Sequence, residues 1–344
     1  FVANFIKICR LMKPLYRNLF LLFGLVSIGF MLYSFGTDFA DWQTSLLNAG
    51  FYLPAVVGCW VVVYAFNARA YQEIVNCVSP DKRLSYLHAY KLTVSGFAFS
   101  YTTPFGFGGA PYRVMELSRY IGTPCAMSST VLYSMMHILS HFFLWMTGVV
   151  CFVLFYTDRL DSTTIIFLAV FVLVFFVVLY FFYYGYKNGL IVKLYSILLK
   201  IPGIRKYARR FYTKNEQAMQ QVDQNISYLH ARPKAFYSSL VLEYVGRVCN
   251  SLEYFFILRS LGIPVDFFDA LLVLAFSSLI GNLLFFFPMQ LGAREGSLAA
   301  IVRILGFGNP SLGLFASFYT RIRELFWIIV GVLLVKVGNQ KMMK

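Results

Sequence analysis

Charged residues are scarce in this 344-residue chain. Lys, Arg, Asp and Glu make up 13% of it, about half of the roughly 25% that soluble domains carry. Hydrophobic residues make up 59% and aromatic residues 19%. This composition excludes an ordinary soluble enzyme domain and predicts a chain whose main solvent is lipid. The net charge of +15 is attributed to cytoplasmic loops, and no nucleic-acid partner is expected.

Motifs for metals, nucleotides and disulfides are also missing. The six cysteines form no Cys-x-x-Cys pair, so we expect small buried hydrophobes. The sequence contains no His-Glu-x-x-His and no Walker or dinucleotide-binding pattern. His137 and His141 share one face of a predicted helix, but no third metal ligand accompanies them, so packed or hydrogen-bonded histidines are expected. We therefore predict no cofactor, no metal and no ATP-driven step.

Long apolar segments are abundant. A helix needs about 20 residues to cross a hydrocarbon core of roughly 30 Å. Six segments meet this length: about 19–35, 51–71, 127–156, 164–184, 236–258 and 312–335. Regions 84–122 and 269–306 instead combine an apolar limb, a break rich in Pro and Gly, and an amphipathic piece too short to span. The predicted fold is all-α and polytopic, with about six full spans and two re-entrant helical hairpins.

The two hairpin regions resemble copies of each other. An offset of 184 residues aligns Pro104 with Pro288, Gly108 with Gly292, Arg119 with Arg303 and Gly122 with Gly306. The same offset pairs the span near residue 51 with that near 236, and the span near 127 with that near 312. We predict one integral membrane domain over 1–344, with repeat A at about 51–156 and repeat B at about 236–335. A basic loop, 187–234, lies between them.

The distribution of Lys and Arg predicts the orientation. Loop 187–234 carries ten of these residues, so the positive-inside rule places it in the cytoplasm together with the basic N-terminus. This requires region 84–122 to enter and leave on one side. The basic C-terminal tail is also cytoplasmic if 269–306 is re-entrant, although 271–287 alone is long enough to span. Three crossings then separate the copies, which makes the repeat inverted, as in many secondary transporters.

Residues around the two breaks are the predicted substrate-binding site. Each break precedes a short helix, and the N-terminal amides of a helix attract anions. A full positive charge accompanies each helix, so a phosphate headgroup is the expected ligand. The predicted residues are Arg113, Arg119, Arg294, Arg303, Gly108, Gly109, Gly292 and Glu295. Plain tight turns used for packing are the alternative.

Ionisable residues inside predicted spans form a second group. A lone charge in lipid costs at least about 2.5–3.5 kcal/mol, so these side chains should face the interior and pair. They are Glu243, Arg247, Asn250, Glu253, Arg321, Arg323 and Glu324. We predict that they line a polar pathway for a headgroup, and structural salt bridges are the alternative.

Two short runs carry a family resemblance. They are Thr103-Pro-Phe-Gly-Phe-Gly-Gly-Ala-Pro-Tyr-Arg113 and Pro288-Met-Gln-Leu-Gly-Ala-Arg-Glu295, the second followed by Gly306. With them the chain resembles the lysylphosphatidylglycerol synthase transmembrane family, the integral domain of the multiple peptide resistance factors, as a stand-alone member. The resemblance implies a lipid-translocating module of the bacterial inner membrane. Ala110-Pro111 stands where the family often has Glu, which leaves the headgroup open.

The sequence thus predicts a flippase or translocase for an anionic or aminoacylated phospholipid, with both termini cytoplasmic. No catalytic residue is predicted, and lysyl transfer is not expected because no soluble aminoacyl-transfer domain follows. Membrane phospholipids and a separate lipid synthase are the expected partners. Two alternatives remain open: an integral-membrane transferase that modifies a lipid, and a non-transporting scaffold for a lipid synthase. Movement would be passive, ion-coupled or driven by a partner.

Overall fold

Helices make up the described part of the molecule. The computed structural model describes residues 49–103, 108–188, 224, 233–283, 293–309 and 311–336. Its helices are α1 (Tyr52–Val78), α2 (Tyr86–Thr102), α3 (Gly109–Ile121), α4 (Thr123–Phe155), α5 (Ser162–Asn188), α6 (Pro233–Ser260), α7 (Phe267–Leu283), α8 (Ala293–Ile304) and α9 (Ser311–Lys336). The all-α prediction is confirmed for these ranges. Outside the described residues lie the predicted span 19–35, residues 104–107 of the first break (104–111), all of the second break (288–292) and most of loop 187–234.

Local sequence determines several helix ends. The Ser85 hydroxyl caps α2 by accepting a hydrogen bond from the His88 amide at 3.4 Å. Gly122, with a φ of 81°, separates α3 from α4, and Gly306, with a φ of 75°, follows α8. Such left-handed backbone carries little strain only for glycine. The short helices therefore end in the same way at positions 184 residues apart (306 − 122 = 184).

Within the described residues, three helices are long and apolar enough to cross a membrane. They are α1, α4 and the part of α5 over Ser162–Tyr180. Each coincides with a predicted span. Helices α6 and α9 have 28 and 26 residues, but they carry several buried charged side chains. Helix α7 is apolar but has only 17 residues. The predicted total of six spans therefore remains a prediction.

Helix α5 shows how the protein meets lipid. Its side chains Ile166, Leu173 and Phe176 are 65%, 65% and 60% exposed. So much exposed apolar surface on one helix would be unfavourable in water and is suited to a lipid environment. Its inner side contacts α4, where Phe175 packs against Phe143. Helix α5 thus forms part of the outer surface and leaves the interior to the other helices.

The packing of α1–α4 is matched by that of α6–α9. Among the described helices, α1 and α6 make the most extensive contact with each other. Helix α1 packs on α2 as α6 packs on α7, α2 on α3 as α7 on α8, and α3 on α4 as α8 on α9. Helix α9 also crosses α2 as α4 crosses α7. Exchanging the two sets of four helices therefore leaves the pattern of main contacts unchanged.

Two close helix crossings follow the same exchange. Gly148 of α4 faces Ala275 of α7, and Gly331 of α9 faces Ala98 of α2. A Cβ atom placed on either glycine would lie 2.6 Å from the Cβ of the facing alanine. Both crossings therefore require a glycine, as close helix contacts in membranes commonly do. The two crossings join exchanged pairs of helices, which fits a duplicated unit of four helices, but their residues are not aligned at the offset of 184 (331 − 148 = 183; 275 − 98 = 177).

Candidate functional site

Two groups of polar side chains lie between the helices. The histidine cluster consists of Arg113 on α3, Tyr133, His137 and Ser140 on α4, and Glu243 and Arg247 on α6. The arginine cluster consists of Trp60 on α1, Glu253 on α6, Arg294 and Glu295 on α8, and Ser317, Arg321, Arg323 and Glu324 on α9. Glu243 and Glu253 are ten residues apart on α6, which separates the clusters by roughly 15 Å.

The histidine cluster is centred on one carboxylate. His137 Nδ1 lies 2.8 Å from Glu243 Oε2, and the Glu243 side chain is fully buried. The other carboxylate oxygen, Oε1, is buried and makes no hydrogen bond within the described part of the chain. Arg247 donates to Ser140 Oγ at 2.5 Å and to the carbonyl oxygen of His137 at 2.9 Å. Arg247 therefore ties α6 to the backbone of α4 beside the carboxylate.

Arg113 is the second cation of the histidine cluster. It lies in the second turn of α3, the short helix that follows the first break. Its guanidinium carbon is 4.8 Å from the ring centre of Tyr133 and 5.6 Å from that of Tyr71, which are cation–π distances. The buried Nε atom has no hydrogen-bond acceptor among the described residues. The lack of a side chain at Gly96 makes room for this guanidinium, since a Cβ there would lie 2.7 Å from Nε.

The charges of the histidine cluster do not balance. Arg113 and Arg247 contribute two positive charges and Glu243 one negative charge, while His137 is either neutral or positive. The described members therefore sum to at least +1 (2 − 1 = 1). An uncompensated buried cation is unfavourable, so this cluster is suited to accept an anion.

The arginine cluster is a network of ion pairs at the start of α8. Arg294 pairs with Glu324, and Arg321 pairs with Glu324 Oε2 at 3.2 Å and with Glu295 Oε1 at 3.3 Å. Ser317 donates a further hydrogen bond to Glu295 at 2.7 Å. Both Arg294 and Glu295 of α8 thus form charged contacts with side chains of α9.

The same network reaches helices α1 and α6. Arg323 contacts Glu253 Oε1 at 2.9 Å, and Trp60 Nε1 donates to Glu253 Oε2 at 2.8 Å. The Arg323 guanidinium lies 3.9 Å from the centre of the Trp60 ring. Three arginines thus face three glutamates in this cluster (3 − 3 = 0), in contrast to the excess cation of the histidine cluster.

The predicted substrate-binding residues are separated in the structure. Arg113 lies in the histidine cluster, whereas Arg294 and Glu295 lie in the arginine cluster. Arg119 and Arg303 lie in the last turns of α3 and α8, and both are exposed. Arg119 is six residues, or about 9 Å along the helix, from Arg113. Arg303 is nine residues, or about 14 Å, from Arg294. The structure therefore does not bring four arginines around one phosphate.

The predicted glycines have local packing roles. The Gly108 amide donates to Thr103 Oγ1 at 2.7 Å, and a Cβ on Gly109 would collide with the Gly96 carbonyl oxygen. These contacts fit the packing alternative for both residues, and their role in substrate binding stays a prediction. Gly292 lies outside the described residues.

The predicted polar pathway divides between the clusters. Glu243 and Arg247 belong to the histidine cluster; Glu253, Arg321, Arg323 and Glu324 belong to the arginine cluster. Asn250 lies between them on α6, and its buried Oδ1 has no hydrogen-bond donor in the described ranges. The α6 positions are spaced by four, three and three residues, so they follow one side of the helix. Glu243, Arg247, Asn250 and Glu253 thus form a row of polar side chains along α6, the polar file, which joins the two clusters.

Sequence reasoning missed several members of both clusters. Trp60, Tyr133 and Ser140 were not predicted, and His137 was expected only to pack or to form a hydrogen bond, which it does with Glu243. The offset of 184 contained the missing signal. It aligns Tyr133 with Ser317, His137 with Arg321 and Ser140 with Glu324. Polar residues at matching positions of two apolar helices would have identified both clusters.

Comparison with known proteins identifies one family. The model of the lysylphosphatidylglycerol synthase TM region matches residues 20–331, which include all nine helices described above through residue 331 of α9 and every residue of both clusters. No curated protein and no solved structure matches the chain.

Proposed function

The chain belongs to the lysylphosphatidylglycerol synthase TM-region family, and on this premise we propose that it moves a phospholipid with an anionic headgroup between the two leaflets. Family membership and three apolar helices of sufficient length make the chain an integral membrane protein with a lipid-related function. The observation that carries the finer proposal is the uncompensated positive charge of the histidine cluster.

Arg113 is suited to bind a phosphate. Tyr71 and Tyr133 contact its guanidinium through their aromatic rings, and these contacts leave donors at the edge of the group to be satisfied. A guanidinium edge matches two phosphate oxygens and forms charge-assisted hydrogen bonds with them. A phosphate there would also neutralise the excess charge. Charge and geometry therefore favour the same ligand.

The polar file on α6 provides a route for the headgroup. Asn250 connects the histidine cluster to the arginine cluster over roughly 15 Å, which is about half of a hydrocarbon core. A headgroup that follows this file would avoid the apolar interior while its acyl chains remain in lipid. The route uses the residues predicted as a polar pathway.

The repeat explains how one route reaches both leaflets. We propose that repeats A and B have opposite orientations, that α2–α3 and α7–α8 are re-entrant hairpins, and that both termini face the cytoplasm of the bacterial inner membrane. The matched helix packing and the paired glycines at 122 and 306 support the duplication. The basic loop 187–234 supports the orientation. The two clusters would then face opposite leaflets.

An enzymatic role receives no comparable support. A lipid transferase needs an acid/base pair at the interface. The close acidic pairs in the described ranges are Asp158 with Asp161 and Asp266 with Asp269, and the second pair is held by hydrogen bonds to the backbone at the start of α7. Asp158 and Asp161 are both exposed, and Asp161 caps α5 by accepting a hydrogen bond from the Thr164 amide at 2.9 Å. Hydrogen bonds from the Thr164 side chain and amide lower the pKa of Asp161, whereas a general acid needs a raised pKa. Transport without catalysis remains our proposal.

A leaflet-exchange assay tests the transport function. The purified chain is placed in liposomes with fluorescent phosphatidylglycerol, and a membrane-impermeant reductant bleaches the outer-leaflet fraction. Charged hydrogen bonds contribute about 1.5–3 kcal/mol, so Arg113→Ala should slow exchange by roughly tenfold or more. Arg259→Ala is the matched control because it removes an exposed arginine on α6, and it should keep the native rate. Equal rates for native chain and Arg113→Ala, with both proteins folded, would refute the assigned role of Arg113.

A further inference from the structure

We propose that lipid movement is coupled to a proton carried by the His137–Glu243 pair. This inference rests on the proposed lipid transport and adds its driving force. The pair joins α4 to α6 through the 2.8 Å contact between Nδ1 and Oε2. Imidazole is the side chain that changes charge between about pH 5 and 8, so the pair can gain or lose one proton under physiological conditions.

The two members of the pair differ in accessibility. The His137 side chain is 37% exposed, whereas that of Glu243 is fully buried. The imidazole is therefore the end of the pair that a proton reaches first, and the carboxylate stabilises the charged imidazolium. The buried Oε1 atom of Glu243, beside the Tyr133 side chain, offers a second position for the proton inside the bundle.

The surrounding groups leave few other proton acceptors. The groups that face the pair are Arg113 from α3, Tyr133 and His141 from α4, and Arg247 from α6, while Tyr71 from α1 contacts Arg113. Arginine and tyrosine do not change charge near neutral pH. Helix α5 presents the apolar Phe175 to α4. His141 packs edge-on against His137 with ring centres 5.5 Å apart, so it is the one neighbouring side chain in the described ranges that needs a separate control.

Charge balance couples the proton to the lipid. The cluster sums to +1 when His137 is neutral and Glu243 is ionised, as shown above. A phosphate alone lowers the sum to 0 and a proton alone raises it to +2, whereas both together restore +1. Each ligand favours the other because the proton and the phosphate carry opposite charges in the same buried cluster, and linkage makes this effect reciprocal. A proton that moves with an anionic lipid also cancels its charge, so the transfer does no work against the membrane potential.

Proton uptake on lipid binding is the first measurement. Short-chain phosphatidylglycerol is titrated calorimetrically into the detergent-solubilised chain near pH 7, in two buffers with different ionisation enthalpies. We expect the chain to take up most of one proton for each lipid molecule that it binds. His137→Gln should bind the lipid with most of this uptake lost, because glutamine keeps a donor for Glu243 but does not titrate. Glu243→Gln should act likewise, and it keeps the proposal testable if His137→Gln does not fold.

Two histidine variants serve as controls. His88→Gln removes a buried histidine of α2 that lies outside both clusters, and it should retain the native uptake. His141→Gln should also retain it if the His137–Glu243 pair is the proton site. Loss of uptake in His141→Gln with native uptake in His137→Gln would overturn the assignment to this pair.

The liposome assay then separates coupling from transport. Acid on the side that the lipid leaves should speed native exchange several-fold, and an entrapped pH dye should record protons moving with the lipid. Lipid exchange without any response to pH, or binding without proton uptake, would overturn the coupling and leave the transport proposal intact. Proton-linked binding with no exchange by the native chain would overturn the transport proposal and the coupling that rests on it.

Discussion

The histidine cluster and the arginine cluster occupy matching places in the two sets of four helices, but their charges differ. His137 of α4 corresponds to Arg321 of α9 at the offset of 184, and Ser140 corresponds to Glu324. One set thus carries an imidazole and a hydroxyl where the other carries a guanidinium and a carboxylate. The arginine cluster balances its charges internally, whereas the histidine cluster keeps an excess cation. Equivalent backbone positions can therefore support different tasks: the arginine cluster joins helices, whereas we propose that the histidine cluster binds an anionic ligand.

The physical basis of this difference is whether each side chain can gain or lose a proton near neutral pH. An arginine stays protonated in proteins, so the pairs of Arg321 and Arg323 persist over the physiological pH range. An imidazole changes charge in that range, so the His137–Glu243 pair does not have a fixed charge. A network of permanent charges is suited to a structural role, and a titratable pair is suited to a transport cycle.

The largest expected effect comes from breaking the arginine cluster. Glu324→Gln removes the carboxylate shared by Arg294 and Arg321, and breaking such a buried network costs about 3–5 kcal/mol. Thermal unfolding in detergent should show a marked loss of stability. The control is Glu73→Gln, which breaks a partly exposed pair with Arg69 and should cost at most about 1 kcal/mol. Similar losses for both variants would show that the arginine cluster is not a structural network.

A smaller effect should follow from making the two clusters alike. His137→Arg places a permanent charge beside Glu243, as Arg321 does in the other set. We expect the variant to fold and to bind the anionic lipid, but its exchange rate should vary by less than about twofold between about pH 6 and 8. The native rate should rise several-fold as the pH falls across that range, because the proton and the anion favour each other. A native pH response in His137→Arg would contradict the role of the imidazole.

The smallest effect is expected at the far end of α3. The Arg119 side chain is 65% exposed and forms a weak local pair with Glu116 at 3.8 Å. Its replacement by alanine should change the exchange rate by less than about twofold, since exposed ion pairs contribute about 0–1 kcal/mol. A loss as large as that of Arg113→Ala would restore the sequence-based expectation that both arginines of α3 bind the headgroup. Exchange measured for both variants in the same liposomes decides between these outcomes.

Much of the fold was predictable because it depends on local sequence. The spans near 51, 127 and 164 are apolar over at least the length of a bilayer core, and the structure has helices there. The spans near 236 and 312 were predicted despite their charges, and helices α6 and α9 lie there. The ends of α3 and α8 were marked by Gly122 and Gly306, since a left-handed φ strongly favours glycine.

The site was predictable only in part. Helical spacing correctly placed Glu243, Arg247, Asn250 and Glu253 along one side of α6. It did not show that this side serves two clusters with different charge balance. It also grouped Arg113 with Arg294, although the first contacts aromatic rings and the second pairs with Glu324.

The sequence by itself determined the membrane class, the family, the helices and the duplicated pattern of proline, glycine and arginine. These follow from apolar length, backbone preference and residue order, which act over a few neighbouring residues. Only the tertiary structure decided which charges meet. Glu243 reaches His137 across 106 residues and Glu253 reaches Arg323 across 70, because a buried charge is stabilised by whichever opposite charge the packing of helices brings within contact distance.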